Sequence, residues 1–458
     1  MTYLVGLLSI KNQTRLSYIA TGGLYNCSGG QYNTRMQSDR RKYDILIIGG
    51  GPAGLSTALH LNQIAPHLAS RILLLEKAHY PRLKLCAGGL VADAEVILAG
   101  LGLDVSEVPH VDATAAHLDF AGKGLKVQLG RRKTLRNADK NKSASISAHQ
   151  RDAPHILRII RRDEFDAWLA RKAENRGIEI RQGVTVKDVR PDADGVTVIT
   201  DQGEYRAQVV IGADGSNGVT RRCVLPDAPV HTARVLEVIT PTRPSGTLPH
   251  FPRTPAENGG GLGRGPAAYF DFFPVPAGIA GYVWDFPTQV KGQPMRCWGI
   301  YDTNLLVHKQ RPPLKQPLAE EMARHGFDLG QHELKGHPIR WYSPREPVSV
   351  PRVLLVGDAV GADGIFGEGI SMALGYGKVA AGELVQAFST GDFSFSGYKR
   401  RLVRSALGQT LFVRWAITKI LYRLHWTWFQ KWFWRFWKPI ILVFSWVFVL
   451  NWGKRLKS

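Results

Sequence analysis

The chain has 458 residues, with 59 Lys and Arg against 38 Asp and Glu and a formal net charge of +21. Thirteen of those cations and no acidic residue lie between Phe393 and Ser458, together with eight of the twelve tryptophans. This placement excludes a uniformly basic nucleic-acid coat and describes a near-ordinary globular body, at about +8, with a cationic, aromatic end. At 44% hydrophobic residues the body can bury a sizeable core. The four cysteines, Cys27, Cys86, Cys223 and Cys297, are scattered with no Cys-x-x-Cys pair. Their spacing fits a reducing, cytoplasmic compartment rather than a disulfide framework.

Residues 1–40 read as a disordered extension, because a short apolar run is followed by Ser, Gly and Asn without a small-residue cleavage site. The apolar stretch 43–48 reads as a strand leading into glycines and a helix, with the next strand at 71–75. Residues 130–154 are polar and basic without periodicity, and are taken as an exposed insertion. A helix is expected over 162–176, with short strands at 179–181, 195–200 and 208–211. Between 230 and 343, apolar and aromatic runs alternate with Pro and Gly clusters, which suggests a mostly β domain. A buried strand at 353–355 and a helix at 370–387 follow. The expected organisation is an α/β domain in two parts, 41–229 and 344–395, with 230–343 inserted as a β-rich domain. Residues 396–458 form a helical tail.

The segment Asp44-Ile-Leu-Ile-Ile-Gly49-Gly-Gly51-Pro52-Ala53-Gly54 places G-x-G-x-x-G directly after a strand and before an apolar helix. Gly49 permits the tight turn, Gly51 lets backbone approach a pyrophosphate, and Gly54 allows close helix–strand packing; the helix N-terminus faces the phosphates. Glu76, with Lys77 beside it, ends the second strand where a carboxylate can accept from a ribose diol. Two further strands end in glycine-flanked aspartates, at Asp214-Gly215 and Gly357-Asp358, and the second continues through Gly367, Glu368, Gly369 and Ile370. An aspartate there can bind a ribityl hydroxyl, and the glycines after it can pack against a flavin ring.

The fingerprint, Ala213-Asp214-Gly215 and Gly357-Asp358 resemble FAD-dependent oxidoreductases of the p-hydroxybenzoate-hydroxylase fold. Arg162-x-x-Phe165-Asp166 is similar to that family's arginine-containing motif. The resemblance covers roughly residues 43–390. It implies FAD as cofactor and an α/β architecture: a Rossmann-type FAD-binding domain with an inserted β substrate domain. Two further segments, Tyr80-Pro81-Arg82-x-Lys84-x-Cys86-Ala87-Gly88-Gly89-Leu90 and Gly281-Tyr282-x-Trp284-x-Phe286-Pro287, resemble the geranylgeranyl reductase family. That family saturates double bonds of long isoprenoid chains. The resemblance implies that Cys86, Gly88 and Gly89 approach the isoalloxazine and that Tyr282, Trp284, Phe286 and Pro287 wall a lipid tunnel. Ala87 departs from the commoner Cys-Gly-Gly form. Read from the residues alone, the aromatic alternation also describes any half-buried strand, and Cys86 could be a small buried hydrophobe.

An unactivated alkene has no carbonyl to stabilise charge, so reduction needs a dry pocket and a positioned proton donor. Cys86, or water held by it, is the candidate. The Gly259–Gly265 run follows no strand and reads as a loop rather than a second dinucleotide fingerprint. NAD(P)H and ferredoxin both stay open as electron donor.

In the tail, Lys419, Arg423, Thr427, Lys431, Arg435 and Lys438 are spaced as one polar stripe of a helix, with Trp428, Phe429, Trp432, Phe433 and Phe436 around the rest. Such a helix suits a membrane interface. The apolar run after Pro439 is about 14 residues, roughly 21 Å as helix against about 30 Å of hydrocarbon. Interfacial or re-entrant membrane docking is therefore expected, with a single C-terminal span and packing on the body or a partner as alternatives, no nucleic-acid partner, and a tail removable after about Gly397 without loss of flavin. Two other readings stand beside polyprenyl reduction: a monooxygenase or halogenase on the same fold, and a non-catalytic membrane-tethered flavoprotein.

Overall fold

The computed structural model describes residues 43–113, 115–121, 123–128, 157–229, 231–242, 267–306, 311–437 and 452–456. The expected extension at 1–40 and insertion at 130–154 lie outside them. Two sheets carry the architecture. The first has six strands, in the order Ser349–Val350, Val353–Leu355, Val209–Gly212, Ile45–Ile48, Ile72–Glu76, Glu179–Gln182, parallel except for the first. Its central strands are buried on both faces, which is why they read as unbroken Val/Ile/Leu runs.

The helices Pro52–Ile64 and Ile370–Thr390 cross on one face of this sheet. They meet at Gly377, where a Cβ would lie 2.5 Å from Ser56 Oγ and 2.6 Å from the Thr57 backbone nitrogen. The absence of a side chain there lets the two backbones touch. The other face is covered by the antiparallel strands Val186–Pro191, Val196–Thr200 and Gly203–Ala207.

The second sheet has seven strands, in the order Lys335–Arg340, Thr232–Pro241, Gln293–Asp302, Gly281–Val290, Ala267–Asp271, Ala115–Phe120, Lys123–Gln128. Its last two strands come from residues 115–128, outside the 230–343 stretch expected to build it. Ala267–Asp271 pairs in parallel with Ala115–Phe120, a register between distant segments that no local pattern encodes.

The tail differs from expectation. The polar stripe does not run along one helix: Ala406–Leu421 ends, the chain turns, and Thr427–Phe436 begins again. The turn is held by Tyr422, whose hydroxyl donates to Ile365 O at 2.9 Å, and by buried Gln430, whose amide donates to Leu424 O at 2.8 Å. Nor are these helices a detachable appendage. Arg414 and Trp452 are fully buried in the body, and Trp434 stacks on Phe272 at 4.7 Å. The Gly453 amide donates to Asp93 Oδ1 at 2.7 Å. A cut after Gly397 would therefore remove side chains that are buried in the body. Trp426, Trp428, Trp432, Phe436 and Trp437 nevertheless stay exposed. Among the described residues, no helix is long and apolar enough to cross a membrane.

Candidate active site

One cavity of about 610 Å³ runs from the glycine fingerprint of the first sheet to the aromatic face of the second. At its first end lie Gly49, Gly51, Pro52 and Ala53. Gly49 has φ +107°, and a Cβ on it would sit 2.5 Å from Ala213 O, so only glycine fits that turn. Gly51 precedes the helix with no side-chain cap, leaving the first-turn N–H groups free toward the cavity. Gly54 does not line the cavity; its missing side chain lets the helix rest on Gly49 O and Ile47.

Glu76 accepts the Gly50 amide at 2.8 Å and the Ala78 amide at 3.0 Å, with Arg82 Nε at 3.4 Å. Lys77 lines the rim beside it. Arg162 lies in the wall and forks onto Asp166 at 2.8 and 2.9 Å, and Arg82 reaches the same carboxylate at 3.1 Å. Asp214 and Gly215 line the cavity. One Asp214 oxygen accepts from Thr220 N and Oγ1, and the other has no hydrogen-bond partner among the described residues. Burial pushes its carboxyl up. An orphaned carboxylate oxygen facing a cavity fits a hydroxyl-bearing ligand.

Asp358, Gly367, Gly369 and Ile370 line the middle of the cavity, whereas Gly357 packs behind them, its Cβ position 2.6 Å from Ala53 Cβ. Burial pushes Asp358 up, opposed by the charges of Lys84 and Arg162. Cys86, Gly88 and Gly89 lie opposite; Cys86 Sγ accepts the Gly88 amide at 3.4 Å. Burial raises the thiol above its ordinary range, with Arg162 working against it.

Tyr282, Trp284 and Phe286 share one face of their strand and line the far end; Pro287, one residue out of phase, does not. Phe270 lies 4.9 Å from the Phe286 ring and 5.3 Å from the Tyr282 ring, and the Tyr282 hydroxyl donates to Phe366 O at 2.5 Å. The Trp284 indole lies across Gly299 of the next strand, with ring carbons 2.0 and 2.3 Å from where a Cβ would be. Ala116, Leu118, Val127, Val235 and Ile339 complete an apolar wall.

Several lining residues carried no sequence signal. Lys84 sits inside a quoted motif without having been assigned a role. Glu237 and His337 stand on neighbouring strands, both inward-facing and both with an unpartnered buried polar atom among the described residues. The hint was an acid in the apolar strand Thr232–Pro241. Among the described residues, no cluster suits a metal ion.

Residues 42–250 match the model of the FAD binding domain family. The digeranylgeranylglycerophospholipid reductase of Thermoplasma volcanium is 25% identical over 398 residues, covering 83% of this chain and 88% of that protein. Among solved structures, a geranylgeranyl bacteriochlorophyll reductase-like protein of Thermoplasma acidophilum superposes with a TM-score of 0.66 at 20% identity, over 91% of this chain and 99% of that one. The flavin-dependent halogenase CmlS gives 0.57 at 19%, over 88% and 72%. The glycine cradle, the orphaned Asp214 oxygen and the confluence of Asp358, Gly367 and Gly369 suit FAD, the ligand that the matched domain family is described as binding. Residues 42–250 thus carry the FAD binding domain, and over most of its length the chain is similar to FAD-dependent oxidoreductases, geranylgeranyl reductases and halogenases among them.

Proposed function

We propose that the protein reduces carbon–carbon double bonds of a polyprenyl lipid of geranylgeranyl type while docked at a membrane surface. The observation that carries this reading is the continuity of the cavity: the cofactor end opens, past Cys86, Gly88 and Gly89, into a wall of Phe270, Tyr282, Trp284, Phe286 and Phe366. A polyprenyl chain offers no hydrogen bonds and is held by buried area, at roughly 25 cal/mol per Å².

Gly49, Gly51, Pro52 and Ala53 would hold the pyrophosphate against the helix N-terminus, with Glu76 and Lys77 at the adenosine ribose. Arg162, Asp214, Gly215 and Asp358 would face the remaining polar part. Gly88, Gly89, Gly367, Gly369 and Ile370 would flank the ring, with Gly54 and Gly357 setting the packing behind. Reduced FAD supplies a hydride. The protein's part is to exclude water, lay an alkene beside the ring and deliver a proton from Cys86. Burial keeps that thiol protonated at neutral pH, so it is available as an acid. The membrane-facing part is the exposed aromatic set on the last helices, interspersed with Lys431 and Arg435. A cytoplasmic location belongs to the same reading, which rests on four scattered cysteines without a Cys-x-x-Cys pair.

Anaerobic incubation of the FAD-loaded protein with dithionite and geranylgeranyl lipids, scored by product mass, tests the reading. A gain of two hydrogens per reduced bond supports it. Reductant consumption only in oxygen, with no saturated product, would instead assign a monooxygenase or halogenase reaction, as the likeness to CmlS favours. Replacing dithionite by NADPH, NADH or reduced ferredoxin identifies the electron donor.

A further inference from the structure

Within the cavity Glu237 stands apart. It is 6% exposed, lines the same space as Cys86 and the aromatic wall, and its Oε2 has no hydrogen-bond partner among the described residues. Its register fixes its surroundings. Directly across the sheet lies Gly299, over which the Trp284 indole is laid, so the space beside the carboxyl is left to that ring. Lys335 is opposite on the other neighbouring strand, and His337 faces inward two residues along. The backbone N–H of Cys86 is directed at the carboxyl, and Arg161 approaches from the segment before the helix Arg162–Glu174. The thiols of Cys86 and Cys297 complete the set within electrostatic reach. Among the described residues this carboxyl forms no ion pair, and an apolar substrate has no use for it as a binding group.

We propose that Glu237 is the proton reservoir of the reduction, restoring the proton of Cys86 after the thiol has spent it. The inference rests on the lipid-reduction reading. One alkene carbon receives the hydride from dithionite-reduced FAD, and the other receives the Cys86 S–H proton. The products are a saturated bond, oxidised FAD and a thiolate. The Glu237 O–H proton then passes to the thiolate, and the carboxylate left behind is reprotonated from water.

The direction is favourable. Burial pushes Glu237 up to about 7 against the pull of Arg161, the Cys86 N–H and Lys335, so it is half-protonated at neutral pH. Burial also holds the Cys86 thiol above its ordinary 9.0. Transfer from carboxyl to thiolate is therefore favoured about 100-fold or more. His337, pushed down to about 4 by burial, is neutral throughout this range and does not compete as a cation.

The test compares wild type, Glu237→Gln and Glu237→Asp as full-length FAD-loaded protein. Each is reduced either stoichiometrically, for one turnover, or with excess dithionite, for many, and mixed anaerobically with geranylgeranyl lipid. The expected result is that the gap between first-turnover and steady-state rates widens about 100-fold in Glu237→Gln. Steady-state turnover of wild type should fall as pH rises through about 7, with that dependence absent from Glu237→Gln and partly restored by Glu237→Asp. Independently of turnover, carboxyl-carbon NMR of glutamate-labelled protein should show one resonance titrating near 7 that Glu237→Gln removes. A Gln variant with the wild-type rate gap and pH profile, or no such resonance, overturns the reservoir role. So does equal slowing of first and later turnovers, which would make Glu237 a direct donor or a wall residue. Wild type that never reoxidises with the lipid overturns the lipid reading itself, and is told apart by failing at the first turnover.

Discussion

Arg414 offers the sharpest test of how the tail joins the enzyme. Its guanidinium, fully buried on the helix Ala406–Leu421, donates to Glu368 Oε2 at 2.6 Å and Asp363 Oδ2 at 3.2 Å. Asp363 also accepts the amides of Ile365 and Phe366, at 2.9 and 3.1 Å, and so shapes the turn that carries Gly367 and Gly369 into the cavity. Arg414→Met keeps most of the volume and removes the charge. Two carboxylates are then left facing each other out of water. Breaking a buried pair by removing one partner costs about 3–5 kcal/mol. The pH sign follows: carboxylates left without their cation burden the folded variant only while ionised, so the deficit is largest near neutrality and shrinks in mild acid. Urea unfolding at about pH 7.5 and about pH 5 reads both quantities, and visible absorbance reads retained flavin. Adding Asp363→Asn and Glu368→Gln to Arg414→Met should recover much of the loss. A deficit below about 1 kcal/mol, or one equal at both pH values, refutes the reasoning.

Further outcomes are expected. Gly377→Val must drive a side chain into the Thr57 backbone, which cannot yield as a side chain would, and should cost about 1–3 kcal/mol in a denaturant titration. Glu237→Gln should gain stability relative to wild type as pH rises from about 5 to about 8, because burial of the ionised carboxyl burdens only the parent; a pH-independent difference would contradict this. Trp428→Ser with Trp432→Ser should weaken binding to anionic vesicles about tenfold or more and leave the thermal midpoint in place, since both rings are exposed. Cys86→Ala should slow alkene reduction about 100-fold or more with the flavin absorbance unchanged.

The parts of this enzyme legible from sequence are those in which one local segment carries the whole constraint. The turn at Gly49 admits no side chain, the strand Ile45–Ile48 must be apolar on both faces, and Tyr282, Trp284 and Phe286 alternate because a strand alternates. Glu237 and His337 were not legible, because their meaning arises only when Thr232–Pro241 and Lys335–Arg340 pair across about a hundred residues. The same holds for Ala115–Phe120, drafted into the second sheet by a parallel partner far along the chain. In the tail, spacing by four suggested one continuous helix, but hydrogen bonds from Tyr422 and Gln430 fold the chain back at that point. Periodicity reports what a helix would present, and tertiary partners decide whether it continues.

Gly299 does not line the cavity, yet the Trp284 indole occupies the place where its side chain would stand. The depth available to a substrate is thus recorded at a position the substrate never touches. A single added carbon there would tip the indole into the open space and shorten it from behind. On the lipid-reduction reading, changes in preferred chain length can therefore arise by altering what the wall leans on, with every contacting residue kept.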